Sequence, residues 1–297
     1  VEIGSAGPVR VFMDKLAFEA DGIIPINRIK PHTDFHGTFE SGLLKLCVIG
    51  LGKVRQAEEV HRYGVQGLRE YIVPAARVVL AQKKVLFGIG LVENAYDETM
   101  IVRAVAPEDF EKEESLLLET ARGNMPRLPA DKIDILVADE LGKNISGSGF
   151  DTNIIGRMAI KGQRDSLPDI TNIIVTDLTA ESHGNAIGMG LADFITRQLF
   201  DKVDLRTTYK NVITSTFLER GKIPIIAEDP RQAFDWAMRT CGPVEEKDAK
   251  IVRIKNTLHL GELYVSLPLF ESIRYDAGIE LIERNCSLFN GNDLTSF

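Results

Sequence analysis

The stretch Asn124–Ala138, NMPRLPADKIDILVA, decides how this chain is laid out. Its first nine residues hold two prolines, a turn-prone asparagine and a charge cluster, and they mark a boundary. The apolar, β-branched run Ile133–Ala138 that follows reads as a fresh strand. The boundary predicts one domain over residues 1–127 and a second over 128–297.

Upstream of the boundary, Pro107–Arg122 predicts a helix. Proline opens it, and Glu108 and Asp109 place negative charge in its first turn. Pro8–Phe12, Gly22–Ile29, Lys84–Val92 and Ile101–Val105 read as strands. Leu68, Ile72, Ala75, Val79 and Leu80 recur near helical period within Gly67–Lys83. Asp14 caps a short helix that runs to Glu19. Leu43–Leu51 is an apolar run behind a loop of Gly37, Thr38, Ser41 and Gly42, and Gln56–His61 is a polar stretch able to form a helical turn.

Downstream, a glycine-rich loop (LGKNISGSGFDTN, Leu141–Asn153) follows the first strand. Asn172–Thr176 reads as a strand, Thr179–Gly190 as a loop and Leu191–Phe200 as a helix. Asn211–Leu218, Ile223–Ala227 and Lys250–Ile254 read as strands, and Gln232–Thr240 as a helix. Apolar strands alternating with helices predict an α/β class: two α/β domains with mainly parallel sheets. The site is expected in the interdomain cleft, where ligands commonly bind.

Composition narrows the function classes. With 35 basic and 43 acidic residues the net charge is -8, which argues against general nucleic-acid binding. No apolar run reaches the roughly 18 residues of a membrane helix, so no membrane partner is expected. Cys47, Cys241 and Cys286 have no metal-type spacing and cannot all pair, which fits a reducing, cytoplasmic setting.

The densest chemistry lies in Lys30–His61, KPHTDFHGTFESGLLKLCVIGLGKVRQAEEVH. It holds His32, His36 and His61, with Lys45 among them. A lysine inside Leu43-Leu44-Lys45-Leu46-Cys47 is costly to bury charged, so it snorkels to water or its amine is used chemically. His32 and His36 are four apart, as zinc ligands on a helix would be, but Pro31 and Gly37 flank them and there is no HExxH. Gly50-Leu51-Gly52-Lys53 lacks the Ser or Thr of a phosphate loop and reads as a turn with a surface lysine. Gly88-Ile89-Gly90 lacks the third glycine of a dinucleotide fingerprint. Beyond the glycine-rich loop, Asp151, Asn153 and Arg157 could hydrogen-bond a small acid, Arg157 by its planar fork; helix capping by Asp151 and a solvated Arg157 is the other reading. No GxSxG nucleophile elbow accompanies His183, and His259 reads as structural.

Pro31-His32, Gly37, Ser41-Gly42, Lys45 and a histidine sixteen residues later at His61 together resemble the nickel-dependent lactate racemase family. NRIKPHTDFHG, ESGLLK, VIGLGK, VENAYDET and DLTAESHGNAIG look like phrases of its broader superfamily, and the likeness spans nearly the whole chain. The resemblance implies an isomerase, a racemase or epimerase of a small 2-hydroxy acid such as lactate. It also implies a nickel-pincer nucleotide, bound covalently to a lysine that by position is Lys45, with His61 by position the protein's nickel ligand. Three planar donors plus one imidazole suit the square-planar preference of Ni(II), and acylation would remove the lysine charge that makes burial costly. A carboxylate should orient the His61 ring, and Glu58 or Glu59 is the nearest in sequence.

By its place after Pro31, His32 matches one of the family's two acid/base histidines, with His36 as the alternative because the loop is longer here. The second such histidine belongs to an upstream segment that this chain, starting at Val1, is expected to lack. Leu44 stands where the lactate enzyme has an arginine, which leaves the identity of the hydroxy acid open. Asn153 and Arg157 fall in the region of substrate contacts. Cofactor maturation proteins are implied partners. Two other readings stand beside this one: a non-catalytic cofactor-holding or ligand-binding homologue, and a metal-dependent hydrolase using His32, His36 and His61.

Overall fold

In the computed structural model, which describes residues 1–276 and 278–297, the chain divides into two units. One comprises Val1–Met125 with Thr214–Thr216; the other comprises Pro126–Ile213 and Phe217–Phe297.

The first unit opens with an antiparallel hairpin of β1 (Glu2–Ala6) and β2 (Val9–Phe12). Helix α1 (Lys15–Glu19) starts where its cap predicts, with Asp14 accepting from the Leu16 and Ala17 amides. The strand expected over Gly22–Ile29 shrinks to β3 (Ile26–Arg28), with Ile23 making only an isolated bridge to Val85. Pro25 between them has no N–H to extend the ladder.

The apolar run from Leu43 is helical. It forms α2 (Leu43–Lys45), a π-helical turn at Leu46–Gly50, and α3 (Leu51–His61). Leu43, Leu44, Cys47 and Val48 are fully buried, a spacing that lays one helical stripe against the core. Lys53 breaks the regularity with φ 57°, and it is exposed, in keeping with the turn and surface lysine read from GLGK. Helix α4 (Gly64–Leu80) follows. Strand β4 (Gly88–Glu93) pairs parallel to β3 and antiparallel to β5 (Thr99–Val105). Helix α5 (Phe110–Gly123) supplies Leu117, Leu118 and Ala121 to a core shared with Ile29 and Val92.

The second unit is built on a six-stranded sheet. Its strands are β6 (Lys132–Leu141), β7 (Asp169–Leu178), β8 (Phe194–Thr196), β9 (Ile225–Ala227), β10 (Ile251–Ile254) and β11 (Tyr264–Val265). Their order is β11-β10-β6-β7-β8-β9, all parallel except the edge strand β11. The short α6 (Thr152–Ile155) and α7 (Arg197–Asp201) punctuate the connections, and α8 (Leu205–Ser215) is longer. Helix α9 (Pro230–Thr240) buries Ala233, Phe234 and Ala237 on Ile135, Val137, Ile174 and Phe194. The α/β class holds, with parallel pairing concentrated in this sheet while the small sheets of the first unit are antiparallel or mixed.

Two elements differ from expectation. Leu191–Phe200 is not one helix: Phe194–Thr196 is a strand seated between β7 and β9, and Thr196 caps α7 through Leu199 N. Backbone partners on both sides outweigh the helical spacing there. Asn211–Leu218 is not a strand, since most of it lies in α8. Asp204 accepts from the Arg206 and Thr207 amides at the start of that helix, and Thr208 and Val212, one turn apart, are its buried face. Among the described residues no helix is long and apolar enough to cross a membrane.

Candidate functional site

The site grows from the loop between β3 and α2. Lys30 and Ser41 exchange backbone hydrogen bonds of 3.0 and 3.2 Å, closing residues 31–40 into a ring of chain. Glu40 is the hub of that ring. Its carboxylate, only 2% exposed as a residue, accepts from His32 N (2.5 Å), Gly37 N (3.0 Å) and Arg122 Nη2 (2.5 Å), with His36 Nδ1 at 3.4 Å. Burial alone would raise its pKa, but the bonds from His36, His32 N, Arg122 and Gly37 N hold it below the ordinary carboxylate value. We expect Glu40→Ala to speed amide exchange at His32 and Gly37 while leaving β6 and β7 protected. Unchanged exchange at both amides would remove Glu40 as the organiser of the loop.

The ring delivers His32 to Lys45. His32 is 7% exposed, stacks on Phe35 with ring centroids 4.7 Å apart, and meets Lys45 Nζ through Nε2. Its other nitrogen, Nδ1, accepts from Asp34 N at 3.0 Å, with Asp34 Oδ2 3.7 Å away. Lys45 ends α2 and enters the π-helical turn, a helix irregularity found often at functional sites. Burial pushes the Lys45 pKa down to about 8, against the raising influence of the Asp34 charge. His61, the last residue of α3, is also held low, by burial first; Asp34 raises it and Lys45 lowers it further. His32, Asp34, Lys45 and His61 thus share one electrostatic neighbourhood.

Glu114 completes the arrangement from α5. Its Oε2 accepts from Leu44 N at 2.9 Å, supplying the side-chain cap that Gly42 cannot. The approach is tight: a Cβ on Gly42 would lie 2.4 Å from Glu114 Cδ, so a side chain there would have to displace the Glu114 carboxylate. Burial pushes the Glu114 pKa up to about 7 in spite of the Leu44 and Leu43 amides, and burial with the Glu114 charge raises the Cys47 thiol to about 12.

The other expected residues have partners of their own. His36 has a side chain 51% exposed and turns to Glu40. Glu58 is exposed and Glu59 pairs with Arg10 at 2.6 Å, so the acid acting on His61 is Asp34 and neither of these. In the second unit, Asp151 caps α6 and accepts from both the backbone and side-chain nitrogens of Asn153. Arg157 is not solvated: it donates to Asp193 (2.7 Å) and to the Leu191, Ile170 and Thr171 carbonyls. These bonds tie the α6 region to the sheet. His259 Nδ1 lies 3.0 Å from Asn256 Oδ1 within its own turn, the structural role read for it. Among the described residues no group of three or more His, Cys, Asp or Glu side chains is placed to hold a metal, so His32, His36 and His61 do not assemble a hydrolase-type centre.

Asp34, Glu40 and Glu114 were not singled out from sequence. Glu114 had a readable signal, since it falls on the α5 stripe of Phe110, Leu117, Leu118 and Ala121, where an acid is out of place. Asp34 and Glu40 had none, because a carboxylate in a polar loop is ordinary.

No family model matches the chain, and no curated protein matches it. Among solved structures seven chains match. One is the lactate racemase apoprotein from Thermoanaerobacterium thermosaccharolyticum, with TM-score 0.51 and 15% identity over 86% of this chain and 66% of that one. At that identity the likeness is one of fold. The chain spans 66% of the length of that structure.

Proposed function

We propose that the protein is a racemase or epimerase of a small 2-hydroxy acid, working with a nickel-pincer nucleotide held covalently on Lys45 and coordinated by His61. The observation that carries this reading is the convergence of a buried lysine amine, His32 and His61 in one neighbourhood. The likeness in fold to a lactate racemase apoprotein supports it.

The residues present fit such a group. The described side chains offer no self-sufficient metal site, so a metal here requires donors carried by the cofactor and asks the protein for one imidazole. An amine whose burial already disfavours its charge is suited to become an uncharged amide-type nitrogen. When bound, the group would supply a reversible hydride acceptor beside the substrate carbon. Loading would depend on separate maturation proteins.

The chain's own part is proton handling. Acylation removes the Lys45 lone pair as an acceptor and releases His32 Nε2 to the substrate hydroxyl. With Nδ1 accepting from Asp34 N, the ring holds its proton on Nε2, the state that returns a proton to a substrate oxygen. Taking a proton there requires the other tautomer, for which Asp34 Oδ2, 3.7 Å from Nδ1, would have to close to hydrogen-bond distance.

Native-source protein should interconvert the enantiomers of lactate, malate or a longer 2-hydroxy acid, followed by chiral chromatography. His32→Ala should keep the mass adduct and lose turnover by about 10²–10⁴-fold, the usual worth of a general acid/base. Full turnover in His32→Ala would move the proton role to His36 or elsewhere.

A further inference from the structure

The contact between His32 and Lys45 carries a statement about protonation that does not depend on nickel. Asp34 N can only donate, so the His32 Nδ1 it meets at 3.0 Å must present a lone pair. A neutral imidazole has one ring proton, which is then on Nε2. That N–H points at Lys45 Nζ. An ammonium has three donors and no acceptor, so an ammonium there would set donor against donor. Only the neutral amine has a lone pair to receive the bond. We propose that the Asp34 amide, acting through the His32 tautomer, holds Lys45 as an uncharged nucleophilic amine in the chain before any group is attached. Asp34 and His32 are thus positioning residues for covalent capture of an electrophilic acyl or carbonyl carbon.

The charged groups facing the amine are consistent with this. His32 meets it from the loop, the Asp34 charge acts on it and the amine acts in turn on His61 at the end of α3; burial outweighs the Asp34 charge in setting the Lys45 balance. Glu114 stands at the other end of α2, bonded to Leu44 N. The inference extends the function proposed above by saying how the anchor is prepared. It would survive if the captured group proved not to carry nickel.

Two measurements on the unloaded chain test it. The first is ¹⁵N NMR of the His32 ring at neutral pH, which should show a protonated Nε2 and an unprotonated Nδ1. A protonated Nδ1 overturns the proposal. The second is competitive acetylation with acetic anhydride followed by peptide mapping. The amine nitrogen bonds to the acyl carbon, the anhydride C–O bond breaks, acetate leaves and the amine proton goes to solvent. Lys45 should reach half-maximal reactivity at a clearly lower pH than exposed Lys53, and coincidence of the two overturns the proposal. His32→Phe, checked for fold by circular dichroism, loses the donor to the neutral amine and should slow Lys45 acetylation near pH 7.5 by roughly three- to tenfold. An unchanged rate in that variant assigns the effect to burial alone and also overturns it. Loss of nickel binding with these results intact would sink the cofactor reading and leave this one standing.

Discussion

Lys45→Ala is expected to abolish nickel retention and to remove the mass adduct from native-source protein altogether. His61→Ala should behave differently, keeping the adduct and losing the metal. Under the proposed function the anchor would not depend on the metal, whereas the metal would depend on the His61 imidazole. Both effects follow from the site's poverty in ligands: among the described residues nothing else is grouped to hold a metal. Metal analysis and intact mass, run together on the two variants, separate anchor from ligand. Nickel retained in Lys45→Ala would reject the covalent attachment, and nickel retained in His61→Ala would reject the coordination.

Glu114→Gln should flatten the way stability responds to pH. Burial pushes the carboxyl from its ordinary value of 4.5 up to about 7. Between those values the folded chain binds a proton that the unfolded chain does not, so stability falls as pH rises. The contribution is whole below about pH 4.5, lost through pH 7, and on the order of 3 kcal/mol. Glutamine keeps an oxygen for Leu44 N and has no such proton, so its urea midpoint should be flatter over this range and should overtake that of the unaltered chain above pH 7. Parallel pH profiles for the two proteins would show that Glu114 stays ionised in the fold. The same experiment reports on the site, since Glu114 sits on the first turn of the helix that carries Lys45.

Much of the architecture was written in local pattern. The Asp14 cap, the helices near 67–83 and 107–122, and most strands of the second unit follow from periodicity and punctuation that act within a few residues. The two misread elements were those whose backbone partners lie far away, β8 between its neighbours and α8 with its single buried stripe of Thr208 and Val212. The histidines and the lysine of the candidate site stood out because their residue types are rare and closely spaced.

By itself, the order of residues determined which side chains can do chemistry here, a lysine in an apolar run with histidines at thirteen residues before it and sixteen after. Folding alone decided that His32 should touch the amine, that the Asp34 charge should act on His61, and that Arg157 should bond to carbonyls and Asp193. The reason is physical: protonation and hydrogen-bond partnership depend on burial and on distances of a few ångströms between segments far apart in the chain, and neither is a property of spacing along it.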